Sequence, residues 1–258
     1  MKAKKSLGQH FLNQPSIAEK IASSIISEPS LYPVLEVGPG KGMLTQFLLE
    51  RYPDLVMIET DSDMVDILTK KFPEKGNQII QADFLSCKLD QFFPGPFILV
   101  GNFPYNISSQ ILFKMLDYRK QIPQMVGMFQ KEVAERIAAA HGSKTYGILS
   151  VLMQTFYKVE FLFSVSPQCF SPPPKVQSAV IRLTALPSAD MDSILEKKLK
   201  QVVKLAFNQR RKMLRNSLRS IWPALLSPDD PVLTLRPEQL SVTDFLELSR
   251  RLISLPLE

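Results

Sequence analysis

Cysteine is scarce in this chain: Cys87 and Cys169 are the only two among 258 residues. Two thiols so far apart cannot build a disulfide scaffold, and no closely spaced pair suggests a zinc or redox motif. Long apolar runs are also missing, since no stretch approaches the roughly 18 apolar residues that a membrane-spanning helix needs. The N-terminal sequence MKAKKSLGQHFLNQ lacks the apolar core of a secretion signal. We therefore expect a protein of the reducing cytoplasm, without a membrane partner or a metal site.

Apolar and basic residues are plentiful. Hydrophobic residues make up 45% of the chain and charged residues 22%, which suffices for a substantial core and for solubility. Lys and Arg number 31 against 25 Asp and Glu, a formal net charge of +6, which favours a polyanionic partner such as nucleic acid. The positive charge clusters at Lys2, Lys4 and Lys5 and again at Arg210, Arg211, Lys212, Arg215 and Arg219. Two solvated faces would explain that clustering equally well.

The hydrophobic pattern alternates between strand and helix over most of the chain. A leading helix is predicted over 17–26, and it is followed by the short apolar runs VLEVG, LVMIE, QIIQAD, FILVGN and MVGMFQ. Helical segments such as MLTQFLLERY and MVDILTKKF separate these runs. The alternation predicts an α/β fold with a mainly parallel sheet and a ligand site beyond the carboxyl ends of its strands.

Two patterns follow the last of these strands. TYGILSVLMQTFY predicts a further helix, and VEFLFSV and SAVIRLT predict strands joined by the proline-rich loop SPQCFSPPPKVQ. Beyond Leu186 the segments ADMDSILEKKLKQVVKLAF, RKMLRNSLRSIW and SVTDFLELSRRLISL are all helical in period. We therefore predict an α/β domain over 1–186 and a small all-helical domain over 187–258, and we assign Trp222 and Cys169 to hydrophobic cores.

A glycine-rich turn follows the first strand of the predicted sheet, in LEVGPGKGMLT. Glycines permit positive φ and a close approach of the backbone to a ligand, which indicates a nucleoside-containing cofactor. Gly38, Gly40 and Gly42 have the spacing Gly-x-Gly-x-Gly, whereas dinucleotide-binding dehydrogenases use Gly-x-Gly-x-x-Gly. The spacing therefore disfavours a nicotinamide cofactor.

Acidic residues stand at or near the ends of successive strands. Glu59 lies about 20 residues beyond Gly38, where related folds place an acid that binds ribose hydroxyls. Asp83 ends the third strand and could accept a hydrogen bond from an adenine amino group, and Glu36 could face a cationic part of the cofactor. Helix capping or a surface ion pair would explain each residue alone. Their succession along the sheet favours a binding site.

The segment Asn-Phe-Pro-Tyr follows the fourth strand at the same edge. Proline stiffens the turn, so the Asn102 amide oxygen and the carbonyl of Phe103 or Pro104 can converge on one point. Two acceptors there would bind both N–H groups of an exocyclic amine such as adenine N6 and direct its lone pair toward an electrophile. Tyr105 could stack on a flipped base. On these four residues alone, an ordinary turn with Tyr105 in the core is an equally good explanation.

Six motifs resemble, in this order, those of the bacterial small-subunit ribosomal RNA adenine dimethyltransferases: GQHFLN, LEVGPGKGMLT, VMIETD, NFPYNIS, FSPPPKVQSAVIRL and AFNQRRKMLRNSL. The resemblance implies a Rossmann-like methyltransferase domain, a helical C-terminal domain and S-adenosylmethionine as donor. It also implies two methyl transfers to N6 of each of two adjacent adenines in the 3′-terminal hairpin of small-subunit RNA. The implied partner is an immature 30S particle, and we expect a monomer that does not act on DNA.

The resemblance also implies roles for individual residues. The expected cofactor contacts are His10, Leu12, Gly38, Gly40, Glu59, Asp83 and Asn102. The catalytic segment comprises Asn102, Pro104 and Tyr105, in which Phe103 replaces the leucine usual in the family. The expected RNA contacts are Lys175 in the FSPPPKV loop and Arg210, Arg211, Lys212 and Arg215 in a basic helix. The implied reaction is an in-line displacement without a general base.

Four other functions stay open at this point. A large-subunit RNA adenine methyltransferase of the antibiotic-resistance type would share the catalytic domain, but the segment AFNQRRKMLRNSL and the helices after it favour the small-subunit enzymes. A ribosome-assembly factor with an idle pocket is disfavoured by the intact site residues. A dinucleotide oxidoreductase is disfavoured by the glycine spacing, and a DNA adenine methyltransferase by the lack of a base-reading domain.

Overall fold

A computed structural model of the chain describes residues 4, 7–26, 31–187, 191–224 and 226–253. Contacts between Cα atoms group the chain into two compact units, Met1–Ala134 with Val159–Ala185 and Glu135–Lys158 with Leu186–Glu258. The predicted division of the sequence differs in the segment 135–158, which it places in the first domain together with Leu186. The helix within that segment packs against other helices of the second unit, which explains its assignment there.

The described residues contain nine strands, seven of which form a single sheet. The strands are β1 (Phe11–Leu12), β2 (Val34–Val37), β3 (Val56–Glu59), β4 (Ile79–Gln81), β5 (Ile98–Asn102), β6 (Gln124–Gln130), β7 (Tyr157–Val165), β8 (Phe170–Ser171) and β9 (Ser178–Ala185). The order in the sheet is β4-β3-β2-β5-β6-β9-β7, and β1 pairs separately with β8. Strands β4, β3, β2, β5 and β6 run parallel, while β9 runs antiparallel to β6. The predicted α/β fold with a mainly parallel sheet is confirmed.

Five α-helices precede, connect or follow the parallel strands along the chain. They are α1 (Pro15–Ser23), α2 (Met43–Leu49), α3 (Ser62–Lys71), α4 (Ser108–Asp117) and α5 (Lys131–Ala138). Helix α1 starts with a proline at its first position and packs the apolar residues Ala18, Ile21 and Ala22 inward, next to α2. Helix α3 is capped by Asp61, whose carboxylate accepts the Asp63 N–H. Within the described part of the chain, no helix is long and apolar enough to cross a membrane.

The sheet is buried on both faces in its centre. Leu35, Met57, Leu99 and Val126 each have no exposed surface, as expected for parallel strands covered by helices. Because β4, β3, β2 and β5 are parallel neighbours, their carboxyl ends lie at one edge of the sheet. The glycine turn, the predicted acidic residues and the segment 102–105 all lie at or near those ends, so the topology gathers them.

The second unit is helical. It contains α6 (Ile148–Phe156), α7 (Ser193–Asn208), α8 (Leu214–Ser217) and α9 (Val242–Ile253), together with short 3₁₀ turns. Helix α7 packs against α9 and buries Leu199, Val202, Val203 and Ala206 on one side. The ring of Phe207 contacts Tyr146 and stacks with Phe245, which extends this apolar core along the helix.

The predicted helix over 211–222 is wrong in extent. Helix α7 ends at Asn208, and Gln209 leaves the helical region with φ −123° and ψ 51°. The Lys212 N–H then closes a turn onto the Gln209 carbonyl, so that only α8 continues as α-helix. Trp222 is half-buried and its indole donates to the Arg215 carbonyl, so its assignment to a core is also wrong.

Candidate functional site

A cavity of about 400 Å³ lies at the carboxyl edge of the first unit's sheet. Its volume falls in the range of small-molecule sites. Residues that the sequence analysis singled out line it: His10, Leu12, Glu36, Gly38, Gly40, Glu59, Asp83, Asn102, Phe103, Pro104 and Tyr105. The structure therefore brings together residues spread over nearly a hundred positions of the chain.

The glycine turn forms one wall of the cavity. Gly38 and Gly40 have φ values of +69° and +55°, in the left-handed region that other residues rarely adopt. A Cβ on Gly40 would lie 3.1 Å from the Phe11 ring, whereas nothing lies within 4 Å of a Cβ on Gly38. At Gly38 the wall of the cavity is therefore bare backbone, which a ligand can approach closely.

Glu59 is buried at the end of β3 and is not part of a surface ion pair. One carboxylate oxygen accepts the Gly40 N–H and the other accepts the Asp61 N–H, both at 3.0 Å. Burial raises the pKa of this carboxyl, and the hydrogen bonds from backbone N–H groups oppose that shift. Each oxygen retains a further lone pair, so the group can accept from two neighbouring hydroxyls at once.

Glu36 is the most buried acid of the cavity. Its carboxylate accepts a hydrogen bond from the Thr45 hydroxyl at 2.7 Å, and burial raises its pKa to about 8. The negative charge of Glu59 adds to this shift, while Lys71 and the Thr45 hydrogen bond oppose it. Glu36 is therefore largely protonated at neutral pH in the protein alone, and a nearby cation would favour its ionised form.

Replacement of Glu36 by glutamine should change how stability depends on pH. The folded protein holds the Glu36 proton up to about pH 8, whereas the unfolded chain releases it near 4.5. The proton bound to Glu36 stabilises the folded state relative to the unfolded chain. This stabilisation is complete below the unfolded pKa and is lost as the pH rises through the folded pKa, by at most about 1.4 kcal/mol per pH unit. Urea unfolding at about pH 5 and about pH 9 should show the variant gaining stability relative to the parent as the pH rises.

The matched control for this titration is Thr45→Val, which removes the hydroxyl but leaves the carboxyl in place. Its stability should keep the same sign of pH dependence as the parent. A stability difference between Glu36→Gln and the parent that stays constant with pH would contradict a buried, protonated Glu36.

Asp83 is exposed and follows β4. Its Oδ1 accepts the Leu85 N–H at 2.9 Å, which closes a local turn of the kind the capping interpretation predicts. The residue also lines the cavity, and its second oxygen can serve a ligand. The two interpretations of Asp83 are thus compatible. Among the described residues, no three His, Cys, Asp or Glu side chains gather as a metal site would require.

The N-terminal segment 7–12 covers part of the cavity. Its end forms β1, which pairs with β8. Asp61, buried beneath it, accepts hydrogen bonds from Lys4 Nζ at 2.5 Å and Gln9 Nε2 at 2.7 Å. Burial alone would raise the Asp61 pKa, but these hydrogen bonds outweigh it and hold the pKa below its usual value. Gln9 and Asp61 were not predicted as site residues, and their only signal in the sequence was their place within the motifs GQHFLN and VMIETD.

The side chain of Asn102 is oriented by the N-terminal segment. Its Nδ2 donates to the His10 carbonyl at 3.1 Å, so its Oδ1 faces the opposite way. The Pro104 carbonyl already accepts from Ile107 N and from the Ser108 hydroxyl, both at 3.3 Å. Of the two backbone acceptors that the sequence left open, the Phe103 carbonyl is therefore the one that the local turn favours.

The ring of Phe103 fills a notch in the sheet. Gly101 and Gly127 face each other on β5 and β6, and a Cβ on either residue would overlap the Phe103 ring. The ring is 1% exposed and packs on Phe129, with centroids 5.0 Å apart. The Phe103 N–H donates to the Met128 carbonyl. Two facing glycines on neighbouring strands thus accommodate the Phe103 ring.

Tyr105 is half-buried and lines the cavity, so the interpretation of this residue as a core plug is not supported. Its ring stacks with His10 at 5.5 Å between centroids, with 25° between the planes. Its hydroxyl forms a hydrogen bond with the hydroxyl of Ser178, a residue that the sequence analysis did not single out. His10 in turn contacts the Pro172 carbonyl through Nδ1 at 2.8 Å. Burial raises the Tyr105 pKa, and the bond to Ser178 opposes this.

The predicted RNA-contacting side chains differ in their solvent exposure and in their contacts within the protein. Lys175, Arg211, Lys212 and Arg215 are exposed. Arg210 is half-buried, donates to the Ser143 carbonyl at 3.3 Å and lies 4.0 Å from the Glu238 carboxylate. Arg210, Arg211 and Lys212 lie on the turn after α7 and not on the predicted helix. Arg210 therefore makes contacts within the second unit, which restrain its side chain.

Comparison with known sequences gives close relatives over nearly the full length. A family profile described as Ribosomal RNA adenine dimethylase matches residues 1–225. The chain is 55% identical over 252 residues to Ribosomal RNA small subunit methyltransferase A of Porphyromonas gingivalis, which covers 96% of this chain and 97% of that protein. It is 50% identical over 258 residues to the protein of the same name from Cytophaga hutchinsonii, with 98% of each chain covered.

Solved structures show the same fold. A dimethyladenosine transferase from Plasmodium falciparum superposes with a TM-score of 0.77 at 27% identity, covering 93% of this chain and 96% of that one. The 23S rRNA methyltransferase ErmE superposes with a TM-score of 0.69 at 28% identity, covering 95% and 100%. The fold is therefore that of a Rossmann-like methyltransferase with a helical C-terminal region.

Proposed function

Because the chain belongs to the ribosomal RNA adenine dimethylase family, we propose that its cavity binds S-adenosylmethionine and presents the methyl group to adenine N6 of small-subunit RNA. The acceptors would be two adjacent adenines in the 3′-terminal hairpin, each methylated twice. The observation that carries the proposal is that the glycine turn, Glu59, Asp83 and the segment 102–105 line one cavity. Relatives at 50–55% identity bear the name of a small-subunit RNA methyltransferase.

The cavity has the donor set that an adenosine cofactor requires. Glu59 offers one oxygen to each of two ribose hydroxyls, and Asp83 offers an acceptor to the adenine amino group. Gly38 and Gly40 allow the cofactor to lie against the backbone, while His10 and Leu12 cover it from the N-terminal segment. Contacts of this kind would orient the cofactor without taking part in bond making.

Glu36 would face the cationic part of the cofactor. A carboxyl whose pKa is about 8 is largely protonated at neutral pH, and a sulfonium or ammonium group nearby would lower that pKa and so favour its ionisation. Binding of a cationic ligand would then release a proton from Glu36.

The segment 102–105 would hold the amine to be methylated. Asn102 Oδ1 and the Phe103 carbonyl would each accept one N–H of adenine N6, which leaves the nitrogen lone pair directed at the donor. Tyr105 would stack on the flipped base. When bound, S-adenosylmethionine supplies an activated methyl group and its own leaving group. The residues therefore position and polarise the amine, and no general base is needed before the methyl group is transferred.

The basic turn, defined as Arg211 and Lys212 together with Arg215 of the adjoining helix α8, would bind RNA phosphates in the second unit, and Lys175 would do so in the first. These four side chains are exposed, and contacts to phosphates position an RNA without reading its bases. Arg210 contributes by supporting the turn through Ser143 and Glu238. The acceptor would be an immature 30S particle in the cytoplasm, and the enzyme would act as a monomer.

Replacement of all three residues of the basic turn by alanine should weaken RNA binding and flatten its salt dependence. Each lost phosphate contact lowers the slope of log K against log salt by somewhat less than one, so a loss of about 2 in slope is expected. Filter binding over a range of salt concentrations measures this slope. The matched control replaces three exposed cations of the first unit, Arg51, Lys70 and Lys88. Equal slopes in the parent and the basic-turn variant would show that this turn does not contact RNA phosphates.

Labelling of immature subunits tests the proposed function. The protein is incubated with radiolabelled S-adenosylmethionine and either small or large subunits from cells that lack the modification. We expect label only in small-subunit RNA, recovered as N6,N6-dimethyladenosine. Label confined to large-subunit RNA would show a substrate like that named for ErmE. Calorimetry with S-adenosylmethionine and with NAD provides a separate test of the cofactor.

A further inference from the structure

Ser178 lies at the start of β9 and has no exposed surface. Its hydroxyl meets the hydroxyl of Tyr105 across 73 positions of sequence. We infer that Ser178 is a positioning residue for methyl transfer, which fixes the Tyr105 ring as one wall of the pocket for the flipped adenine. This inference rests on the proposed function and adds a residue to it.

The two ends of the Tyr105 side chain are held differently. The backbone of Tyr105 belongs to a short 3₁₀ turn, Tyr105–Ile107, and stacking on His10 restrains the ring plane. A stacked pair can still slide, because stacking has no fixed direction in the plane. The hydrogen bond to Ser178 holds the far end of the ring, so that its plane and its reach into the cavity are both set.

Strand β9 provides a rigid anchor for this bond. Ser178 faces Gln130 in the ladder between β9 and β6, and the next three residues of β9 are completely buried: Ala179, Val180 and Ile181. A hydroxyl in such surroundings is costly unless it has a partner. The partner here is a residue of the cavity, which links a strand of the sheet to the surface that would hold the base.

The consequence for the reaction is one of alignment. An in-line transfer depends steeply on the position of the attacking nitrogen, and a shift of about 1 Å can lower the rate by about 100-fold. A ring free to move by a fraction of that distance should lower the rate of transfer by about 10-fold. Donor affinity should be unaffected, because the Ser178 hydroxyl does not line the cavity.

A double-mutant cycle tests this inference. Ser178→Ala and Tyr105→Phe each remove one end of the same hydrogen bond and keep the shape of the side chain. We expect each to lower the single-turnover rate, at saturating donor and RNA, by about 10-fold, and the double variant to be no slower than the slower single variant. Ser178→Thr keeps the hydroxyl and should retain most of the rate.

A second measurement reports how well the target base stacks in the pocket. RNA with 2-aminopurine in place of the first target adenine should be more fluorescent when bound to Ser178→Ala than to the parent, because a loosely held ring stacks less well. Unchanged rate and fluorescence in Ser178→Ala would overturn the inference, as would losses that multiply in the double variant. If the parent itself does not methylate small-subunit RNA, the proposed function falls as well. An additive cycle in an active parent overturns only the role of Ser178.

Discussion

Asn102→Ala should lower the rate of methyl transfer by at least about 10²- to 10³-fold, the effect seen when one preorganised polar contact to a reacting group is removed. The structure gives the reason for so large an effect. Asn102 Nδ2 donates to the His10 carbonyl, which fixes the orientation of the amide and leaves Oδ1 as an acceptor at a residue that lines the cavity. Alanine removes this acceptor, and the target amine would lose one of two contacts that direct its lone pair.

RNA affinity should change little in the same variant, because Asn102 is half-buried in the cavity and phosphate contacts dominate affinity. Single-turnover methylation and filter binding, measured on one preparation, separate the two effects. Gln78→Ala is a suitable control, since it removes a half-buried amide that donates to the Pro53 carbonyl in the same unit and does not line the cavity. Turnover at the parent rate in Asn102→Ala would refute the assigned role. Loss of turnover with intact binding would also exclude an assembly factor with an idle pocket.

Glu59→Gln should weaken binding of S-adenosylmethionine by about 100-fold, close to 2.7 kcal/mol. Both carboxylate oxygens of Glu59 accept backbone N–H groups, from Gly40 and Asp61. An amide would point its NH₂ group at one of these donors, which leaves that N–H unpaired and disturbs the glycine turn. It would also lose one of the charge-assisted acceptors available to the ribose hydroxyls.

A ligand lacking the ribose hydroxyls identifies the contact that is lost. S-adenosylhomocysteine and its 2′,3′-dideoxy analogue are compared by calorimetry with the parent and with Glu59→Gln. The parent should discriminate strongly between the two ligands, whereas the variant should bind both weakly and nearly equally. Glu50→Gln changes an exposed glutamate at the end of α2 and should behave like the parent. Equal discrimination by the parent and Glu59→Gln would show that the ribose hydroxyls bind elsewhere.

The proposed donor site also depends on contacts between residues that are distant in sequence. Lys4 and Gln9 bind Asp61, and the Asp61 N–H binds Glu59. The N-terminal segment is thereby connected to the acid that would hold the ribose. A cofactor beneath this segment would stabilise it, and the segment would slow cofactor release in return.

Local patterns in the sequence were enough to predict the sheet and several of the residues that line the cavity. The strands VLEVG, LVMIE, QIIQAD and FILVGN are short apolar runs whose signal is independent of their neighbours. Glycine spacing and acids at or near strand ends then identify one edge of a parallel sheet, because parallel strands share the direction of their carboxyl ends. The same reasoning failed at residues 211–222, where helical periodicity was present but the chain turns at Gln209.

Local sequence patterns did not predict the orientation of side chains or the hydrogen-bond partners of buried polar groups. The amide of Asn102 is turned by a carbonyl 92 positions away, and Tyr105 is tied to a hydroxyl 73 positions away. Phe103 fits because glycines on two different strands face each other. Each of these arrangements depends on which strands are neighbours and in which register they pair, and a linear pattern of apolar and polar residues carries no such information. The chain thus reveals locally where its chemistry lies, whereas the geometry of that chemistry arises from contacts between distant segments.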